Sequence, residues 1–395
     1  MIRPYFRHLL AAAGAMALVC AAAACSSGTT TTTATATASG SAAGSGTSAC
    51  AANAQKQVTT NEQPVTLPIA QLPKPVSSLA LGGKSVAFIG DTSAGVIADA
   101  YDGYAAAGKL VGLNVKLFSV GFTIPAVDAA FESAISEHVS AIAVSATSLP
   151  SLTTALQKAA AAHIPVISQF ETFTDGSSAL GSDPVASVKG FTTITTWLDG
   201  VKTAEYAMAK TNCNLTFAFL DSSSLLGQAQ IGNYVQALFN SDCPKTCHYV
   251  EIQMTPNDVS STQVIPLVTT AVERNPGIQY IYADNGAEGA WALQGLKAAG
   301  KLGKIGVLSE GGTSNVVQQL SDPSSGYTGA IDPPTYYIQG WALMDTTLEV
   351  FEGVNPAIIN LPQRLVITGS AAASNPLQSE SNYESRYATA WGVSS

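Results

Sequence analysis

The sequence predicts an α/β protein of two lobes, each a doubly wound parallel sheet with helices on its faces. Three observations carry that expectation. From Lys84 onward, short β-branched apolar runs alternate with Ala-rich amphipathic segments, the pattern of strand–helix–strand units around a parallel sheet. The apolar runs are near-continuous rather than alternating, as strands covered on both faces require. The alternation comes in two tandem sets, so two lobes are expected rather than one.

The first set opens with "SVAFIGD" as a strand, followed by a helix from Gly95 to Gly112. "NVKLFSV" is a strand and Ala126 to Ser136 a helix. "AIAVSAT" is a strand and Pro150 to Ala162 a helix, with Ser148 placed to cap it. "PVISQF" completes the set. In the second set "SALGSD" is short and extended, and Ala186 to Lys210 is expected as one long helix. "LTFAFLD", "YVEIQM", "YIYADN", "IGVLSEG" and "YTGAID" are strands separated by helical segments. Tyr337 to Phe351 is a helix, and "RLVITG" closes the series. Residues 371–395 are polar and weakly patterned, and no element is assigned there.

The chain begins differently. Arg3 and Arg7 precede an apolar run from Leu9 to Ala24 that is mostly alanine. That is the layout of a secretory signal: charged start, apolar centre, small residues before a cut. A spanning helix wants about 20 residues richer in Leu, Ile or Val. The small residues before Cys25 resemble the lipobox of bacterial lipoproteins, although Ala22 stands where leucine is usual. The resemblance implies that residues 1–24 are a signal peptide and that Cys25 carries the lipid. Several acyl chains on one residue hold a protein at a membrane where one chain is marginal. Residues 25–83 are expected to be the lipidated cysteine and a Ser/Thr/Ala/Pro linker, too poor in apolar side chains to offset its ordering entropy.

The formal charge is −9, and losing Arg3 and Arg7 makes it −11. An acidic chain with 18 Lys and Arg in 395 residues has no footprint for nucleic acid. Of the six cysteines, Cys50, Cys213, Cys243 and Cys247 lie beyond the leader. Outside the cytoplasm they can oxidise. Cys213 precedes one strand, and Cys243 and Cys247 the next. Neighbouring strands would permit a bridge from Cys213 to Cys243 or Cys247, and sequence alone leaves the pairing open. "CPKTC" lacks a second close pair, so zinc is not expected. No cofactor or metal is implied.

Ligands of open parallel sheets sit beyond the carboxyl ends of the strands. Those ends are polar here: "GDTSAG" with Asp91 and Thr92, "SATS" with Ser148, "SQFE" with Gln169, Phe170 and Glu171, "LDSSS" with Asp221, "ADNGAE" with Asp284 and Asn285, and "SEGGTS" with Glu310. Asp, Ser and Asn also cap helices and make turns, so each has a purely structural alternative.

In order and spacing, four stretches resemble the type I periplasmic binding proteins, specifically the ribose-like sugar-binding group of ABC importers. They are "NPGIQYIYADNGAEGAWALQGLKAAGKLGKIGVLSEGG" (Asn275 to Gly312), "HIPVISQF", "AYDGYAAAGKLVGLNV" and "GSDPVASVKG". The resemblance covers about Lys84 to Gly369. It implies two lobes joined by a three-crossover hinge, with ligand held between them. Carried over, the crossovers fall near Asp183, Asp332 and Pro362. Lobe 1 is then 84–182 plus 333–362, and lobe 2 is 183–332 plus 363–395 with a C-terminal extension.

Residue by residue, the family's Asn-Asp becomes Asp284-Asn285, and the Asp after the next strand becomes Glu310. Its Asp-Arg becomes Phe170-Glu171, preceded by Gln169. An Arg falls on Gln230, an Asp near Ser148, and the paired aromatics near Val96 and Ile97. Asp332 marks the second crossover. Both arginines of the sugar clamp are therefore absent. The remaining carboxylates and hydroxyls, with aromatic surface from Phe170, Trp291 or Tyr336, suit a neutral polyol or sugar, or a cation. They do not suit a phosphate or carboxylate, which want Arg or Lys.

The resemblance implies a monomeric, lipid-anchored binding protein on the extracytoplasmic face, serving an ABC permease and capturing a small polar solute. A surface sensor for such a ligand is the alternative. An enzyme is not expected. His138, His163 and His248 are the histidines outside the leader, and His138 and His163 fall at the sheet end away from the polar strand ends. The P-loop tail "GGKSV" precedes a strand, where a P-loop follows one. A repressor would carry a helix-turn-helix where the leader and tether stand.

Overall fold

The computed structural model describes residues 44–69, 72–93, 95–121, 123–170, 187–194, 196–221, 226–255, 258, 261–311, 314–355, 357–370, 373 and 382–393. The leader, Cys25 and Glu171 lie outside them.

Strands β1 (Ser85–Gly90), β2 (Asn114–Ser119), β3 (Ala141–Ser145), β4 (Val166–Gln169), β5 (Val188–Ile194) and β11 (Ala357–Leu361) form sheet 1, in the order β11-β5-β4-β3-β1-β2. Strands β6 (Leu215–Asp221), β7 (Cys247–Gln253), β8 (Tyr280–Ala283), β9 (Gly306–Glu310), β10 (Tyr327–Asp332) and β12 (Arg364–Ile367) form sheet 2, in the order β12-β10-β9-β8-β6-β7. All pairings are parallel except β10 with β12. Central strands are buried throughout, Val86 to Ile89 of β1 without exposed surface. That explains their continuous apolar sequence.

The helices are α1 (Gly44–Asn61), α2 (Gly95–Leu110), α3 (Ile124–Ser136), α4 (Thr153–Ala161), α5 (Thr196–Lys210), α6 (Leu226–Asp242), α7 (Val264–Arg274), α8 (Gly286–Ala298), α9 (Ser314–Ser321), α10 (Tyr336–Phe351) and α11 (Tyr383–Trp391). In lobe 1, α2 and α10 meet backbone to backbone. A side chain at Gly103 would strike the Tyr337 carbonyl, and one at Gly340 the Ala100 carbonyl. Glycine is needed at both for that close approach.

Chain crosses between sheets three times: from β5 to α5 after Ile194, from β10 to α10 after Asp332, and from β11 to β12 after Leu361. The first crossover was expected near Asp183 and lies after Ile194 instead. "VKGFTTI", expected inside a long helix, is β5, buried between β4 and β11. Its β-branched residues and phenylalanine favour a strand, and the helix starts only at Thr196. Strand β11 was not anticipated. The C-terminal helix α11 returns to lobe 1 rather than extending lobe 2. Its Trp391 stacks on Trp341 of α10 at 5.7 Å and donates to Asp345 Oδ1 at 2.6 Å.

The expected linker also differs. Residues 44–61 are a helix, and Leu67, Leu72, Val76 and Leu81 are buried in the lobe 1 core. Ordering there comes from tertiary anchors and not from local composition. One anchor is a disulfide between Cys50 and Cys213, and the second disulfide joins Cys243 to Cys247. The bridge from Cys213 to Cys243 or Cys247 is therefore not formed. Strands β6 and β7 are neighbours as expected, with Leu215 opposite Cys247. Cys50, delivered by α1, bonds Cys213, and Cys243 closes on Cys247 four residues on.

Candidate functional site

All three crossovers leave a carboxyl strand end of one sheet for the other lobe, so the carboxyl ends of the two sheets face one seam. Two buried clasps tie the crossovers together. Asp332 at the end of β10 pairs with Arg364 at the start of β12, 3.3 Å apart with both side chains buried. Gln363 donates from Nε2 to Asp199 Oδ2 at 2.7 Å, while Lys202 Nζ donates to the Gln363 carbonyl at 3.0 Å. Asp332, expected to face ligand, is thus engaged as a hinge fastener.

Lobe 1 presents Gln169 and Phe170 at the end of β4. Phe170 has φ of +73°, a region that non-glycine residues seldom occupy and that clusters at functional sites. It is held there by its N–H on the Thr192 carbonyl at 3.0 Å and by Thr193 Oγ1 donating to its own carbonyl at 3.2 Å. Its ring meets Tyr336 edge-on at 6.0 Å. Gln169 is fully buried, and neither amide atom of its side chain has a hydrogen-bond partner among the described residues. Buried amides are seldom left so.

Lobe 2 answers with carboxyls. Tyr336, the first residue of α10, donates its hydroxyl to Glu310 Oε1 at 3.0 Å across the seam. Burial holds Glu310 well above the usual carboxylate range, and the charges of Asp199, Asp284 and Glu288 push it further. Glu288 and Asp199 are raised as well, by burial first and then by Asp284. All four carboxyls act on the buried Tyr282. Asp221, at the end of β6, is raised to about 6 by burial, then by Glu251 and Asp284. Among the described residues, Lys202 is the cation that opposes these shifts, and it acts on Asp199. Carboxyls kept protonated both donate and accept. The seam is therefore a dense set of hydrogen-bonding carboxyls whose burial favours the protonated form.

The other expected residues are placed as follows. Asp91 Oδ1 accepts from the Ser93 N–H at 3.0 Å in a turn, and Thr92 Oγ1 lies 2.6 Å from Ser119 Oγ. Asn285 Oδ1 accepts from the N–H groups of Ala287 and Glu288, capping α8. Ser148 precedes a single 3-10 turn, Leu149–Leu152, without a side-chain cap bond, and Gln230 is half-buried on α6. Trp291 packs, half-buried, on the lobe 2 core. Asp199, Tyr282 and Glu288 were missed. Glu288 stands three residues after Asn285, where a capping box places an acid, and Asp199 sits inside the segment expected as an unbroken helix. Among the described residues no group of three His, Cys, Asp or Glu is arranged to hold a metal, and no helix is long and apolar enough to cross a membrane.

Two α/β lobes, three crossovers and a polar seam between facing strand ends define a solute-binding protein. The chain belongs to the periplasmic binding protein domain family, whose model matches residues 86–354. Solved structures share the fold. An ABC sugar transporter subunit from Rhodobacter sphaeroides aligns at 18% identity and TM-score 0.63, covering 74% of this chain and 100% of that one. An ABC transporter solute binding protein from Agrobacterium vitis, with bound allitol, aligns at 18% identity and TM-score 0.62, covering 75% and 98%. A periplasmic solute binding protein from Actinobacillus succinogenes, with bound D-allose, aligns at 18% identity and TM-score 0.62, covering 74% and 99%. The family and these structures are binding proteins, not enzymes. No curated protein matches the chain.

Proposed function

We propose that this chain is the extracytoplasmic solute-binding lipoprotein of an ABC importer, and that it takes a neutral sugar or polyol between its lobes. The observation that carries the ligand class is the pairing of an orphaned buried amide, Gln169, with carboxyls held above their usual range on the opposing lobe. A neutral polyol supplies hydroxyls to both. An anion would meet acids without an arginine clamp. The allitol and D-allose bound by structures of the same fold support this class.

Thermal unfolding against allitol, D-allose, D-arabinose and a polyamine tests it. A ligand at about a thousand times its Kd should stabilise the fold by about 4 kcal/mol. Gln169→Ala and Glu310→Ala each remove side-chain hydrogen bonds to ligand. At about 0.5–1.5 kcal/mol for a hydrogen bond between neutral groups, Glu310→Ala should weaken binding about 2- to 12-fold, and Gln169→Ala by a similar factor. Stabilisation by the polyamine alone would discard the sugar class and keep the fold.

In this reading Cys25 carries the lipid, and the Ser/Thr-rich tract after it is the leash that keeps the lobes near the permease. Cys25→Ser should release the protein to the medium. Retention of the variant in carbonate-washed membranes would refute the anchor.

A further inference from the structure

The arm preceding β1 lies on both lobes. Helix α1 is docked on lobe 2: Ala54 and Val58 are buried in one cluster with Ala204, Ala207, Met208 and Leu215. Cys50 is bonded to Cys213, and Asn61 Nδ2 donates to Glu205 Oε2 at 2.8 Å. Further along, Leu67, Leu72, Val76 and Leu81 are buried in the lobe 1 cluster with Trp341, Leu348 and Trp391. There the Leu72 N–H donates to the Ala390 carbonyl at 3.3 Å, Arg386 Nη2 donates to the Leu67 carbonyl at 3.0 Å, and the Lys74 N–H donates to Glu352 Oε1 at 3.1 Å.

The stretch between the two docked parts is "EQPVT", residues 62–66. Six peptide steps from Asn61 to Leu67 reach about 20 Å at full extension. The arm runs over α5 of lobe 2 and α11 of lobe 1, on the helical layers, whereas the three crossovers run between strand ends. We infer that the arm is a strap, a fourth connection between the lobes that limits how far they part when no ligand is bound. Hinge opening must either stretch residues 62–66 or pull α1 from lobe 2. The Cys50–Cys213 bond opposes the second course, because it keeps α1 at high effective concentration beside its site. The strap does not depend on which solute is bound.

The test uses the full chain without added sugar, with spin labels introduced as unnatural amino acids at the exposed Gln157 of α4 and Gln294 of α8, so that every cysteine is untouched. A ten-residue Gly/Ser insertion between Gln63 and Pro64 lengthens the strap by up to about 33 Å and alters neither docked surface. We expect its inter-label distance distribution to shift to longer distances and broaden, with the melting profile unchanged. Cys50→Ser with Cys213→Ser should shift the distribution in the same direction. If the insertion variant keeps the native distribution, the arm restrains nothing and the inference is wrong.

Discussion

Replacing the buried Cys50 and Cys213 together by serine is expected to destabilise lobe 2 by several kcal/mol. The bond closes a loop of 163 residues, for which the chain-entropy relation gives about 5 kcal/mol. It also fixes α1 on lobe 2, so its loss loosens the burial of Ala54 and Val58 and the Asn61–Glu205 hydrogen bond. The Cys243–Cys247 bond is the internal comparison. Its sequence separation is 4, and the same relation gives about 2 kcal/mol. Denaturant unfolding of the two double-serine variants should rank them in that order. Equal midpoints, or a Cys50–Cys213 variant as stable as native, would mean that α1 is not anchored as described.

The arm also shows where the sequence stopped being legible. Helix α1 has almost no apolar stripe: its anchors are Cys50, Ala54 and Val58, one residue per turn. A segment rich in Ser, Thr, Ala and Pro reads as tether when its composition alone is weighed. What orders it is a cysteine 163 positions away and a groove made by α5 and β6, neither of which is local. By contrast, β1, β3, β6 and β9 were plain, because strands buried on both faces carry near-continuous apolar runs up to their polar ends. Strand β5 was misread for a related reason: "VKGFTTI" runs into the amphipathic start of α5 with no proline or glycine punctuation, and only pairing with β4 and β11 fixes the boundary.

The site divides along similar lines. Strand ends could be found by topology, and Asp221, Asp284, Glu310 and Gln169 stand at such ends. Sequence could not say which polar residues were already engaged. Asn285 is committed to two backbone N–H groups of α8, Asp91 to its own turn, and Asp332 to Arg364. Those commitments depend on helix starts and on the antiparallel β10–β12 pairing, a single departure in two otherwise parallel sheets. Glu288 and Asp199 went unnoticed because an acid in a first helical turn is usually solvated; here both are buried.

A protein that buries more carboxyls than it pairs with cations should prefer acid, and Asp345 sharpens that expectation. It sits on α10 beneath Trp391, accepts from the indole N–H at 2.6 Å, and is raised from 3.8 to about 7 by burial, with Glu349 adding and the indole bond opposing. A carboxyl raised on folding binds its proton more tightly in the native state. Its contribution is complete below the unfolded value of about 4 and is lost as pH climbs through about 7. Three units correspond to about 4 kcal/mol. Glu205, raised to about 7, and Asp221, raised to about 6, shift stability in the same direction over the same window. Native protein should therefore melt higher at about pH 4.5 than at about pH 7.5. Asp345→Asn keeps an oxygen for the indole and cannot ionise, so the difference between the two pH values should shrink by about 3 kcal/mol. The residual difference would report the acids of the seam together with Glu205. A native protein that gains stability from pH 4.5 to 7.5 would overturn the premise that burial raises these carboxyls. With it would fall the account of the seam as one whose burial favours the protonated carboxyl.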